Sequence, residues 1–435
     1  MNLSMQSLQT VLESLVGARV RLAKDEDVVA GVRPQLIVEP GSEEEVASVL
    51  ALADKEGLRV VIRGGGTQLS LGAPPAGADI LLSTARLNQI IEHVPHDLTV
   101  TVEAGLPLVT LQETLGQANQ WLALDPDLSP AATIGGIVAT NATGPRRLRY
   151  GGVRDQIIGV RVVLADGTIA KGGGKVVKNV AGYDLPKLFT GSLGTLGVIV
   201  SATFRLYPLP PTSRTVYLTS SILAPLCDLS LQVTASTLVA TSINIVGATS
   251  QRDTYVMAVR FETSPEAAED QSATFVEMAT SKLDDTLQTP RILKDESEAQ
   301  IWSQVLQHKD SPDSASQRIG LKVSLLPTEV ARWLTSLEQV CQRLSLEADW
   351  QAYAGHGLVF VDLAGDETVL QMAVPELRQL AMEHRGSVVV TEAPPHLAAQ
   401  LDMWGDVSGL EVMRNLKARF DPRRVLNPGR FVGGI

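Results

Sequence analysis

The chain has 435 residues, too many for one ordinary core, so two or three domains are expected. Its 44% apolar and 20% charged residues suit a soluble globular protein, and a net charge of −11 excludes a general nucleic-acid binder. Its two cysteines, Cys227 and Cys341, cannot hold an iron–sulfur cluster or a disulfide framework, and its six histidines lack the H-x-x-x-H and H-E-x-x-H spacings of a zinc site.

No positive start followed by an apolar core opens the chain, and no apolar run of about eighteen residues occurs. A reduced, cytoplasmic setting is therefore expected, with membrane contact only through partners. Residues 5–16, "MQSLQTVLESLV", have helical spacing. A short strand at 34–40 follows, then a helix with Ser42 as N-cap, Glu45 completing a capping box and Gly57 ending it. "LRVVIR" (58–63) closes a β-α-β unit, and three glycines follow directly. Further strands are predicted at 79–84 and 98–105, and Pro107 opens a helix to about Asn119. A hairpin turning at Asp166-Gly167 spans 160–172, and a strand spans 197–211. From 214 the order is strand, helix, strand, strand, helix, and from 319 it recurs. This repeated β-α-β-β-α unit marks a second domain. Residues 285–318 are polar and carry no clear pattern, and an amphipathic helix spans 408–420 near the end.

Three glycine-rich segments carry the chemical signal. "RGGGTQ" (63–68) fits neither G-x-G-x-x-G, because Leu69 stands where the third glycine belongs, nor a Walker loop. It reads as a nest of backbone N–H groups for a pyrophosphate, with Gly65 expected at positive φ. "DPDLSPAATIGGIVATNATGPRRLRYGGVRD" (125–155) is small-residue-rich and arginine-rich, and reads as backbone laid along a flat ligand rather than as core. In 172–199, Gly191, Gly194 and Gly197 recur every three residues before a strand. Three such segments in one domain point to one long, anionic ligand such as FAD.

These strings, with "FDPRRVLNPGRF" and "MWGDVSGLEVMRNLKARFDP", resemble the vanillyl-alcohol oxidase / p-cresol methylhydroxylase-type flavoproteins. More narrowly they resemble the FAD-binding E subunit of glycolate oxidase (glycolate dehydrogenase). The resemblance is firm over 34–210 and 400–435. It implies an α+β protein with a split two-part FAD-binding domain plus an α+β cap domain of repeated β-α-β-β-α units. The FAD-binding domain would be 1–211, in two α+β subdomains, the cap or substrate-type domain 212–399, and 400–435 would return to the FAD domain. It implies that Arg63, Gly64, Gly65, Gly66, Thr67 and Gln68 wrap the pyrophosphate. Pro126, Thr133, Ile134, Gly135, Gly136, Asn141, Ala142, Thr143 and Gly144 would run beside the pyrophosphate and flavin. Gly197, Val198 and Ile199 would bond the ring or adenine, and Asn427-Pro428-Gly429 would return near this domain. Relatives that attach FAD covalently through this loop carry His after the glycines. Thr67 stands there, so non-covalent FAD is implied.

The resemblance further implies a FAD-binding subunit working in glycolate catabolism with a catalytic FAD subunit and an iron–sulfur subunit. Such a complex would be cytoplasmic, or peripheral at the inner face of a membrane. Related D subunits carry a Glu-His-Gly string and a histidine-rich metal site; this chain has "VVVTEAPP" and "AGHGLVFV" instead. Oxidising a small 2-hydroxy acid needs a base and a cation for the carboxylate. The candidates are His356 or Glu392 as base and Lys322 or Arg318 as anchor; no metal ligands are expected. Two alternatives are a flavin-carrying scaffold or electron-relay subunit without its own turnover, and a stand-alone reductase of the same fold, such as the enolpyruvyl-sugar reductase of cell-wall synthesis.

Overall fold

The computed structural model describes residues 5–126, 129–175, 182–250, 254–281, 286–306 and 317–435. Residues 176–181 of the third glycine-rich segment lie outside it, as does much of the polar tract. Two compact units divide the chain: Met1–Thr143, Gly152–Leu209 and Asp406–Ile435 form the first, Gly144–Gly151 and Pro210–Gly405 the second.

In the first unit, the helix Met5–Val16 buries Leu8, Leu12 and Val16, one stripe at helical spacing. The helix Glu43–Glu56 begins where the Ser42 hydroxyl accepts from the Glu45 amide, and ends at Gly57 with φ 69°. The Glu45 carboxylate reaches one residue past the cap and accepts from the Gly41 amide. A four-stranded sheet runs Val20–Leu22, Leu36–Val38, Ile80–Ser83, Val60–Arg63, the last three parallel. Ile80–Ser83 thus inserts between the two strands of the expected β-α-β unit. The C-terminal tail extends the free edge: the Val60 amide donates to the Val425 carbonyl, and the Asn427 amide to the Val60 carbonyl, both at 2.8 Å.

A five-stranded antiparallel sheet runs Ile90–Val94, Thr99–Glu103, Val198–Arg205, Ile157–Val163, Ile169–Gly173. Its last hairpin turns at Gly167, φ 85°, as the Asp-Gly signal predicts. The expectation for 125–155 needs correction. Ile134–Thr140 is a helix, capped by Thr133, and Ile134, Gly135, Ile137 and Val138 are buried. Those residues share a core with Val100, Val102, Val160, Ala202 and Phe204. Small residues serve packing here: a Cβ on Gly135 would stand 2.7 Å from the Ala104 Cβ.

The second unit carries one antiparallel eight-stranded sheet, ordered Arg291–Leu293, Thr212–Ser220, Tyr255–Thr263, Ser242–Ala248, Glu347–Tyr353, Leu358–Gly365, Gln317–Ser324, Ser387–Glu392. The predicted repeat is visible in that order. Inside the outermost strands, Arg291–Leu293 and Ser387–Glu392, each repeat contributes its first, third and second strands in turn, so the halves meet through their second strands, Asn244 opposite Tyr353. One face carries Val216, Met257, Val259, Ile319, Leu321, Val323, Val359 and Val361, all buried. The strand Gln317–Ser324 alternates strictly, which turns Arg318 and Lys322 to the opposite, polar face.

Candidate functional site

The glycines after the strand Val60–Arg63 face the segment before the helix Ile134–Thr140. The Thr133 hydroxyl joins the two, accepting from the Gly65 amide at 3.3 Å and the Gly136 amide at 3.4 Å. A Cβ on Gly64 would stand 2.3 Å from that hydroxyl oxygen, and one on Gly65 would stand 1.7 Å from the Ala131 carbonyl oxygen. The bare backbone is therefore demanded first by the opposing wall. Positive φ belongs to Gly66, at 78°, and not to Gly65.

A third wall closes over the end of the same helix. The Gly191 amide donates to the Val138 carbonyl and the Leu193 amide to the Ala139 carbonyl, both at 2.9 Å. A fourth element comes from the tail. The Asn427 side chain accepts from the Ile62 amide at 3.1 Å and donates to the Leu193 carbonyl. The Arg430 guanidinium donates to the Leu69 and Leu71 carbonyls at 2.7 and 2.6 Å. Arg430 is buried, and that burial pushes its guanidinium down to about 10.

These walls line a cleft, open to solvent, with a cavity volume of about 90 Å³. Of the residues picked out in the sequence, Gly64, Gly65, Gly66, Thr67, Gln68, Thr133, Gly135, Gly136, Gly194, Gly197, Ile199 and Asn427 line it. The rest stand elsewhere. Arg63 turns away to Asp27, its Nη1 donating to Oδ1 at 3.0 Å. The buried Asp27 carboxylate also takes both Nη atoms of Arg21 and the Lys24 amide, and these partners hold it well below the usual carboxylate range. Ile134 and Val198 point into the core, and Val198 pairs with Val163 in the sheet. Asn141 ends the helix at φ 51°, Ala142 is buried in the core, and Pro126 is half-buried; none of the three lines the cleft. Nor does Thr143, whose hydroxyl is buried without a partner among the described residues. Gly144 belongs to the second unit. Sequence reading missed Thr84, Ala139, Thr140, Leu193 and above all Arg430 as lining residues. The "NPGR" tail was the available signal: it ends in a cation directly after the residues expected to return.

The four candidates for substrate chemistry lie in the second unit. Arg318 and Lys322 share a face of one strand, and Lys322 stands opposite Phe360 and Val389. Glu392 pairs with Gly320 on the edge strand and is exposed. His356 sits in the turn before Leu358, which pairs with Ser324. From Arg318 to Ser324 the strand covers about 20 Å, so Arg318 and His356 do not reach one small acid together. Lys322, between the ends, can serve either neighbour. Burial, and then the nearby charge of Arg147, lower its pKa from the ordinary lysine value. Among the described residues, no three His, Cys, Asp or Glu side chains gather as a metal site.

Two family models match the chain: "FAD binding domain" over residues 34–173, and "FAD linked oxidases, C-terminal domain" over residues 228–431. The chain is similar to glycolate oxidase subunit GlcD of Bacillus subtilis, 28% identical over 92% of this chain and 89% of that protein. It is similar to D-lactate dehydrogenase of Archaeoglobus fulgidus, 28% identical over 91% of each. Glycolate oxidase subunit GlcE of Escherichia coli is 39% identical, over 38% of this chain and 46% of that protein. Among solved structures, 4-ethylphenol oxidase from Gulosibacter chungangensis shares the fold, with TM-score 0.71, 16% identity, and coverage of 97% of this chain and 95% of that one. Alkyldihydroxyacetonephosphate synthase does likewise, with TM-score 0.70, 17% identity, and coverage of 92% and 78%. With an FAD-binding module in its first part and the matching oxidase module in its second, the chain belongs to the FAD-linked oxidases of the p-cresol methylhydroxylase type, a family of FAD-dependent oxidoreductases.

Proposed function

We propose that this chain is the FAD-binding subunit of a glycolate oxidase-type complex acting on small 2-hydroxy acids, and that it holds FAD non-covalently in the first unit's cleft. The cleft carries this reading. Its glycines bring backbone close, the buried Oε1 of Gln68 has no partner among the described residues, and Arg430 brings a cation. These features fit a long ligand with an anionic middle and hydrogen-bonding ends. Gly64 to Gln68, Thr133, Gly135, Gly136 and Arg430 would hold it. Thr67 offers no nucleophile of the kind that attaches flavin, which supports a dissociable cofactor. Bound FAD supplies the two-electron acceptor. Lys322 is the group best placed to hold a substrate carboxylate, with Glu392, paired with Gly320 two residues along the strand, or His356, in the turn before Leu358, as the base. The relatives include subunits named for glycolate oxidase, which supports a partner-dependent role.

The scattering of the four candidates over two strands and a turn favours a second reading, an electron-relay subunit without turnover. One experiment separates the two. The purified FAD-loaded chain is mixed anaerobically with glycolate or D-lactate. Loss of the oxidised flavin's visible absorbance shows turnover by this chain. Persistence of that absorbance, with reduction only after a co-purifying catalytic subunit is added, leaves the relay role. A chain that takes up no FAD sinks both.

A further inference from the structure

In the helix Leu410–Phe420 the one buried residue is a lysine, Lys417. Burying an ammonium group is unfavourable unless all its donors are met. Here they are: Lys417 Nζ donates to Asp421 Oδ2 at 2.6 Å, to the Thr195 carbonyl at 2.8 Å and to the Leu426 carbonyl at 2.9 Å. Asp421, also buried, accepts from the Val425 amide at 2.9 Å and the Leu426 amide at 2.8 Å. None of these groups lines the cleft, yet Thr195 and Leu426 each adjoin a residue that does. Thr195 follows Gly194 and lies two residues before Gly197, and Leu426 precedes Asn427. Two walls that are far apart in sequence are thus pinned to one ammonium group.

We propose that Lys417 and Asp421 are positioning residues for the flavin. They set the spacing between the Leu193–Gly197 wall and the Asn427–Arg430 wall, and so couple FAD affinity to docking of the C-terminal helix. This rests on FAD occupying the cleft. The coupling is reciprocal: whatever loosens the helix weakens FAD, and FAD tightens the helix. Lys417→Met leaves a buried carboxylate without its counter-ion, which endangers folding. The double variant Lys417→Met with Asp421→Asn removes both charges and keeps an acceptor for one of the two amides, which bond to different carboxylate oxygens.

The test uses the full chain stripped of FAD and titrated with FAD, following flavin fluorescence, the visible spectrum of the bound flavin, and amide hydrogen exchange. In the double variant the FAD dissociation constant is expected to rise about tenfold or more. The bound-flavin spectrum is expected to shift toward that of free FAD. In the wild type, FAD should slow exchange at Val425 and Leu426, and this protection should vanish in the double variant. A folded double variant with wild-type affinity, spectrum and protection overturns the positioning role. If Gly65→Val meanwhile loses FAD, the FAD reading survives that outcome. If the wild-type chain takes up no FAD, both fall together.

Discussion

The Gly65 backbone and the Ala131 carbonyl oxygen are so close that a β-carbon on Gly65 would stand only 1.7 Å from that oxygen. The obstacle is backbone, which cannot swing aside like a side chain. Gly65→Val should therefore force the first wall away from the second. Overpacking of this kind costs roughly 1–3 kcal/mol. The FAD-to-protein ratio of the purified variant should fall well below that of the wild type, and its unfolding midpoint should drop. A folded variant with unchanged flavin content would refute the cleft assignment.

Gly66 makes the contrast. It sits at φ 78°, but an added β-carbon would meet nothing nearer than 3.8 Å. Gly66→Ala should thus lose about 1–2 kcal/mol through backbone strain alone. Gly66→Asn should lose less, because Asn tolerates this region better. Denaturant unfolding of the two variants checks the order; equal losses would point to a steric cause instead.

Asp27, bound by Arg21, Arg63 and the Lys24 amide, is held ionised in the folded chain. Its folded pKa is depressed, so its stabilisation is complete above the unfolded carboxyl value of about 3.9 and fades as pH falls below it. Asp27→Asn should cost roughly 2–3 kcal/mol near neutrality. That gap should narrow steadily below about pH 4. Urea unfolding measured across pH reads this directly, and a gap that does not change with pH would remove the assignment.

Lys322 gives a different pH signature. Only its protonated form can hold a carboxylate, and burial lowers its pKa. Affinity for glycolate or D-lactate should therefore decline at a lower pH than an ordinary lysine would dictate. Lys322→Arg should move that decline upward, since arginine stays charged. Calorimetric titration of the FAD-loaded chain supplies the curve. A wild-type curve flat into the ordinary lysine range would exclude Lys322 as the anchor.

Local signals were legible in the sequence. The Ser42 cap, the Gly57 stop, the Asp166-Gly167 turn and the repeated unit of the second half each depend on neighbours a few residues away. The helix Ile134–Thr140 was not legible, because Gly135, Gly136 and three β-branched residues, Ile134, Ile137 and Val138, all weigh against helix. Tertiary packing overrides that preference: Gly135 must be bare to lie against Ala104, in the turn after the strand Thr99–Glu103, about thirty residues earlier. Arg63 was misread for a related reason. Next to three glycines it looks like a phosphate ligand, but Asp27 claims it across 36 residues. Arg430 escaped notice because its place depends on Leu69 and Leu71, more than 350 residues away in the chain.

The mirrored order of the eight-stranded sheet has a consequence for the polar tract between its halves. The first repeat ends at the outermost strand, Arg291–Leu293, and the second begins at Gln317–Ser324, seventh in the order. From Leu293 to Gln317 the chain must travel six strand spacings, about 29 Å. The helix Asp295–Leu306 within that connection buries Glu298 and Trp302 against Thr215 and Arg260, so substitutions at those two positions should be costly, and a deletion that leaves the connection too short to bridge the span should stop the two half-sheets from joining. Beyond those contacts, what evolution must preserve there is reach, a property that composition does not record.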